Sequence, residues 1–81
     1  MPTIHRQDGF QLRIYTKDHP PAHVHCRRGK SLVVVFLPTD GGRPTLREQN
    51  RHAKFDDVTD ALRIVGENSA TLWNAWRQYH A

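Results

Sequence analysis

Two adjacent prolines, Pro20 and Pro21, constrain this chain more than any other feature. Proline fixes its own φ and pushes the residue before it into extended backbone. His19-Pro20-Pro21 is therefore a rigid corner, and no helix can run through it. Three of the six histidines flank that corner, in the stretch Asp18-His19-Pro20-Pro21-Ala22-His23-Val24-His25-Cys26. Past the corner, His23-Val24-His25 reads as the start of a strand. Residues i and i+2 of a strand share a face, so the two imidazoles should point the same way, about 7 Å apart at ~3.4 Å per residue.

The chemistry of the cluster supports three readings. In the plainest, the prolines make a structural corner and the histidines are simply hydrogen-bonded. In the second, His23 and His25, with His19 in support, form the catalytic group of a small ribonuclease. One imidazole would take the proton of a ribose 2′-hydroxyl, the other would protonate the leaving oxygen, and an arginine would stabilise the charge building on phosphorus. In the third, His19, His23 and His25 bind a divalent transition metal such as zinc, with Asp18 or Cys26 as a fourth ligand. No Cys-x-x-Cys or His-Glu-x-x-His spacing accompanies them.

The rest of the chain divides by period. Thr3-Ile4-His5 is short and β-prone, and Asp8-Gly9 is a turn signal. Phe10, Leu12 and Ile14 alternate with Gln11, Arg13 and Tyr15, which predicts a strand from Phe10 to Thr16. A second strand runs from near Ala22 to Arg28, and Arg28-Gly29-Lys30-Ser31 supplies a hairpin turn. The apolar run from Leu32 to Leu37 reads as a central strand. Pro38 to Pro44 is a loop, and Thr45 to Asn50 is either a short edge strand or more loop. Helical spacing begins after Lys54: Phe55, Val58, Leu62 and Val65, widened by Ala61 and Ile64, form one apolar stripe. Asp56, Asp57 and Asp60 suit the start of that helix, and Gly66 its end. Asn68 or Ser69 then caps a second helix carrying Leu72, Trp73, Trp76 and Tyr79. The expected fold is α+β: a small antiparallel sheet of three to four N-terminal strands, then two C-terminal helices packed on one face.

Eighty-one residues suffice for one domain, 1–81, with a modest core. A partner or a homodimer is a natural expectation for so small a core. Twelve basic against eight acidic residues give a net charge of +4, which permits a phosphate-bearing partner such as DNA or RNA. The candidate contacts are Arg27, Arg28, Lys30, Arg43, Arg47 and Arg51. Arg43, Arg47 and Arg51 recur every four residues and would line one face if locally helical. Trp73 and Trp76 are either core or a partner-protein interface. One cysteine excludes an internal disulfide, no apolar run reaches the ~20 residues of a membrane span, and the start of the chain lacks a signal-peptide core. A cytoplasmic location is expected. Trimming of Met1 would expose the secondary amine of Pro2, a group some enzymes use as a base.

The opening Met1-Pro2-Thr3-Ile4, Gly9 before the first long strand, Tyr15, and the Asp18-His19-Pro20-Pro21-Ala22-His23-Val24-His25 corner together resemble the bacterial family known as domain of unknown function 4160. Leu72 and Trp76 are similar to that family's closing Leu-x-x-x-Trp helix. The chain differs in carrying its prolines directly after His19, with Ala22 where members often have proline. The resemblance implies a small bacterial protein encoded beside a cognate small protein of the family numbered 2442, in an arrangement of toxin–antitoxin type. It implies no catalytic residue. The function expected from these features is a component of such a module, binding a partner protein and nucleic acid. The histidine-pair ribonuclease and the metal-binding protein stand as alternatives.

Overall fold

In the computed structural model, which describes residues 3–80, five strands precede two helices. The strands are β1 (His5–Gln7), β2 (Phe10–Arg13), β3 (His23–Arg28), β4 (Ser31–Phe36) and β5 (Thr45–Gln49). They lie in the sheet in chain order, each antiparallel to the next. The helices are α1 (Phe55–Glu67) and α2 (Ser69–His80). The α+β class is as expected, but the sheet has five strands rather than three to four. The Pro2 amine lies outside the described residues.

The additional strands are the two edges. β1 pairs with β2 through a two-residue turn in which Asp8 and Gly9 have φ of 51° and 82°. Consecutive left-handed residues make the turn whose twist matches a hairpin, and Asp-Gly is a favoured pair for it. β5 is exposed at all five positions, so its composition resembles a loop. It is nevertheless a strand, pairing Thr45 with Phe36 and Leu46 with Val35, then shifting register by a bulge to pair Glu48 with Val34. Asn50 fixes its far end. The Asn50 Oδ1 accepts the backbone N–H groups of Leu32, His52 and Ala53, and its Nδ2 donates to the Lys30 carbonyl. Because this segment is strand and turn, the helical stripe of Arg43, Arg47 and Arg51 does not form.

Alternation divides the sheet into two faces. Phe10, Leu12, Val24, Cys26, Val33 and Val35 share one core cluster with Ala61, Ile64, Val65, Leu72, Ala75 and Trp76 of the helices. The opposite face carries Gln11, Arg13, His23, His25, Arg27, Leu32, Val34 and Phe36; the Trp76 ring of α2 reaches it at its His23 end. Ile14 continues the core side beyond β2 and is fully buried. No described helix is long and apolar enough to cross a membrane.

α1 starts where Asp57 accepts the Lys54 backbone N–H at 2.9 Å. The same carboxylate accepts Ser31 Oγ–H at 2.7 Å and the Arg28 guanidinium at 2.7 Å, so its pKa falls below the usual carboxylate range. Phe55, expected in the apolar stripe, is 80% exposed; the buried stripe is Ala61, Ile64 and Val65. Gly66 does not end the helix, which continues to Glu67. Asn68 ends it instead, its Nδ2 donating back to the Ile64 carbonyl at 2.8 Å. The Asn68 carbonyl then accepts the Leu72 N–H at 3.0 Å and starts α2.

Candidate metal centre

The corner presents three side chains to one point. Its first device is a turn that the strand pattern does not reveal. The Asp18 N–H donates to the Tyr15 carbonyl at 3.1 Å, and the Tyr15 N–H donates back to Asp18 Oδ2 at 3.1 Å. This reciprocal pair aims the carboxylate across the start of β3. The second device is the proline corner, whose Pro20–Pro21 peptide bond is cis. It returns the chain so that His23 and His25 face Asp18.

His23 is buried, at 5% exposure, and its Nδ1 lies 2.9 Å from the Pro21 carbonyl. A carbonyl only accepts, so Nδ1 carries a hydrogen. Nε2 faces Asp18 Oδ1 at 3.5 Å. His25 Nε2 lies 3.3 Å from Oδ2 of the same carboxylate. Burial, outweighing the attraction of Asp18, lowers the pKa of His25 below that of a free histidine; His23 and Arg47 lower it further. One donor atom from each of Asp18, His23 and His25 lies within 4.8 Å of the other two.

The contacts are those of hydrogen-bonded histidines, His25 Nε2 also lying 3.4 Å from Asp18 Oδ1, and their geometry suits a metal better than an acid–base pair. Bonds of about 2.0–2.2 Å to a tetrahedral zinc put neighbouring ligand atoms about 3.4 Å apart. Measured to the one oxygen Oδ1, the two nitrogens lie at 3.5 and 3.4 Å, close to that value, within a set of three donor atoms that spans up to 4.8 Å. His23 has the arrangement of a metal-binding imidazole, one ring nitrogen donating to a backbone carbonyl and the other free to ligate. Two catalytic imidazoles should instead approach a phosphodiester from different sides. Here both Nε2 atoms converge on one carboxylate.

The structure revises the expected ligand set. His19 is exposed on the rim of the pocket and is not among the three converging residues. Cys26 cannot be the fourth ligand. It sits one residue out of phase with His23 and His25, fully buried on the helix side, where burial pushes its thiol pKa up to about 12. Asp18, not His19, is the third residue of the converging set. The pocket at this point measures about 240 Å³ and is rimmed by Lys17, His19 and Arg47, with Phe36 at its floor.

The six basic residues expected to bind nucleic acid do not form one patch. Arg27 and Arg47 are exposed, Arg27 on the open face and Arg47 at the pocket. Arg28 faces the helices, bound to Asp57, Asp60 and the Asp8 carbonyl, with its guanidinium 4.3 Å above the Phe10 ring. It is a structural residue. Lys30 is exposed in the hairpin turn, Arg43 in the loop before β5, and Arg51 in the turn before α1. Arg13 and Lys17 were not anticipated, although alternation with Leu12 already places Arg13 opposite the core.

The two tryptophans also separate. Trp76 is 7% exposed and belongs to the core, with its ring 5.6 Å from that of His23 and 3.8 Å from that of His80. It is not a contact surface. Trp73 is half-buried, donates Nε1–H to the Pro38 carbonyl at 2.8 Å, and walls an open cavity of about 440 Å³ with Thr39, Asp40 and Arg77.

A family model described as Domain of unknown function (DUF4160) matches residues 9–77, from the first hairpin turn to near the end of α2. No curated protein and no solved structure matches the chain.

Proposed function

The chain belongs to the DUF4160 family, and we propose that its function is to hold a single divalent transition-metal ion through Asp18, His23 and His25. One observation carries this. His23 Nε2 and a carboxylate oxygen face each other at 3.5 Å, and His25 Nε2 approaches the same carboxylate at 3.3 Å. Atoms in that arrangement need a proton or a cation between them. Two imidazoles and one carboxylate suit zinc or iron(II), and three protein ligands leave coordination positions open to the pocket. The neutral form of His25, favoured by its burial, is the form that ligates.

The test uses chain purified without a histidine tag, stripped with a chelator and titrated with cobalt(II). The expected outcome is one ion per chain and the intense visible absorption of a four-coordinate site. Uptake well below one per chain, or uptake unchanged in His25→Ala, would refute it.

A second reading makes the chain one half of a two-gene module of toxin–antitoxin type that binds a protein partner. What supports it is Trp73, half-buried beside an open cavity bordered by the opposite charges of Asp40 and Arg77. Co-purification with the neighbouring gene product, lost in Trp73→Ala, is the expected result. Absence of any complex would dispose of it.

A further inference from the structure

We infer that the sheet face turned away from the core cluster is a track for single-stranded nucleic acid, crossing β2 to β5 over His25. The strand register sets out its floor. Gln11 pairs with Arg27 and Arg27 with Leu32; Arg13 pairs with His25, His25 with Val34, and Val34 with Glu48. Paired residues share a face, so this row lies opposite the core cluster, with Val34 buried beneath its neighbours and the other side chains reaching the surface.

Two depressions on this face meet at His25. One is the metal pocket, with Lys17, His19 and Arg47 on its rim. The other, of about 110 Å³, is lined by Gln11, Arg13, Tyr15, His25, Arg27 and Leu32. Together they form a shallow path across three inter-strand gaps, about 14 Å at ~4.8 Å per strand. Four cations border it: Arg13, Lys17, Arg27 and Arg47. The carboxylates near it are Asp18, committed to the two imidazoles, and Glu48, paired with Arg47. Aromatic rings interleave with the charges, as base stacking requires: Tyr15 stands edge-on to His25 at 4.7 Å, and half-buried Phe36 lies at the metal end.

The geometry selects single strands. An open sheet face with rings and cations suits splayed bases and their backbone. The track rests on the proposed metal only at one end, where an open coordination position would take a phosphate oxygen.

The test is fluorescence anisotropy with a labelled single strand of about 12 nucleotides, as RNA and as DNA, against the corresponding duplex. Single strands should bind more tightly than the duplex. With four phosphates contacted at a slope of about −0.7 each, affinity should fall about 50-fold between roughly 50 and 200 mM salt. Arg13→Ala, Arg27→Ala and Arg47→Ala should each weaken binding and flatten the slope by about 0.7. Arg43→Ala and Arg51→Ala, off the track, should change neither. Equal losses in all five variants, or preference for the duplex, would overturn the track. Binding that survives in Asp18→Asn while metal uptake is lost would show the cations acting on their own, and the track would stand. Normal metal uptake with no oligonucleotide binding would remove the track and leave the metal centre.

Discussion

Replacing Asp18 with asparagine should abolish metal-linked stabilisation while leaving the corner folded. Asparagine has the same shape, and its Oδ1 can still accept the Tyr15 N–H that Asp18 accepts at 3.1 Å. What disappears is the negative charge between His23 and His25. Loss of a partner that merely orients a ligand costs about 10–100-fold in metal affinity, so loss of a ligand should cost at least about 100-fold, or ~2.7 kcal/mol. That loss can be read as thermal stability. At a free metal concentration near 100 times its Kd, the parent gains about 2.7 kcal/mol. In a domain of this size each kcal/mol moves Tm by about 4–8 °C, so the parent should melt about 11–22 °C higher. At the same concentration the variant would be about half-saturated and gain ~0.4 kcal/mol, or roughly 2–3 °C. Melting followed by circular dichroism in metal-buffered solution makes the comparison. An equal metal-induced rise in both proteins would refute the assignment of Asp18. No rise in the parent would refute the centre.

Two further predictions concern the scaffold. The Cys26 thiol is pushed up to about 12 from 9.0 by burial. The unfolded chain therefore loses this proton first, and stability should fall as pH rises from 9 towards 12. Three pH units correspond to at most about 4 kcal/mol. Urea midpoints of Cys26→Ala should fall less over that window, and equal falls would contradict the burial argument. Asn50→Ala should cost about 1–3 kcal/mol, since it strands the backbone donors of Leu32 and His52, while the Ala53 N–H keeps the Asn50 backbone carbonyl at 3.2 Å. Urea denaturation would measure it, and a change below ~0.5 kcal/mol would show that water replaces the side chain fully.

The features legible in the sequence were those fixed by local periodicity. Period two placed His23 and His25 on one face, and the proline pair placed a bend beside them. The same rule sends Cys26 to the opposite face, so its exclusion as a ligand was already readable. It equally separates Arg27 from Arg28, neighbours in sequence that work on opposite sides of the sheet. What periodicity could not show was anything set by contacts distant along the chain. β5 has the composition of a loop, and its pairing with β4, anchored by Asn50, makes it a strand. Phe55 keeps helical spacing with the stripe yet points into solvent, 80% exposed. Gly66 has the chemistry of a stop, but the Asn68 side chain takes that role one turn-end later. Asp18 was visible as a candidate, whereas its aim depends on the reciprocal turn with Tyr15.

The contact between Trp76 and His23 couples two parts of the molecule that share no covalent neighbourhood. α2 contributes no donor atom to the corner, yet its indole, 5.6 Å from the His23 ring, limits how far that imidazole can swing. Linked equilibria are reciprocal. To the degree that a docked α2 sharpens the posture of His23, an occupant holding His23 must tighten the docking of α2. Amide hydrogen exchange along residues 69–80 would then slow on loading the corner, although no atom of that helix touches what was loaded.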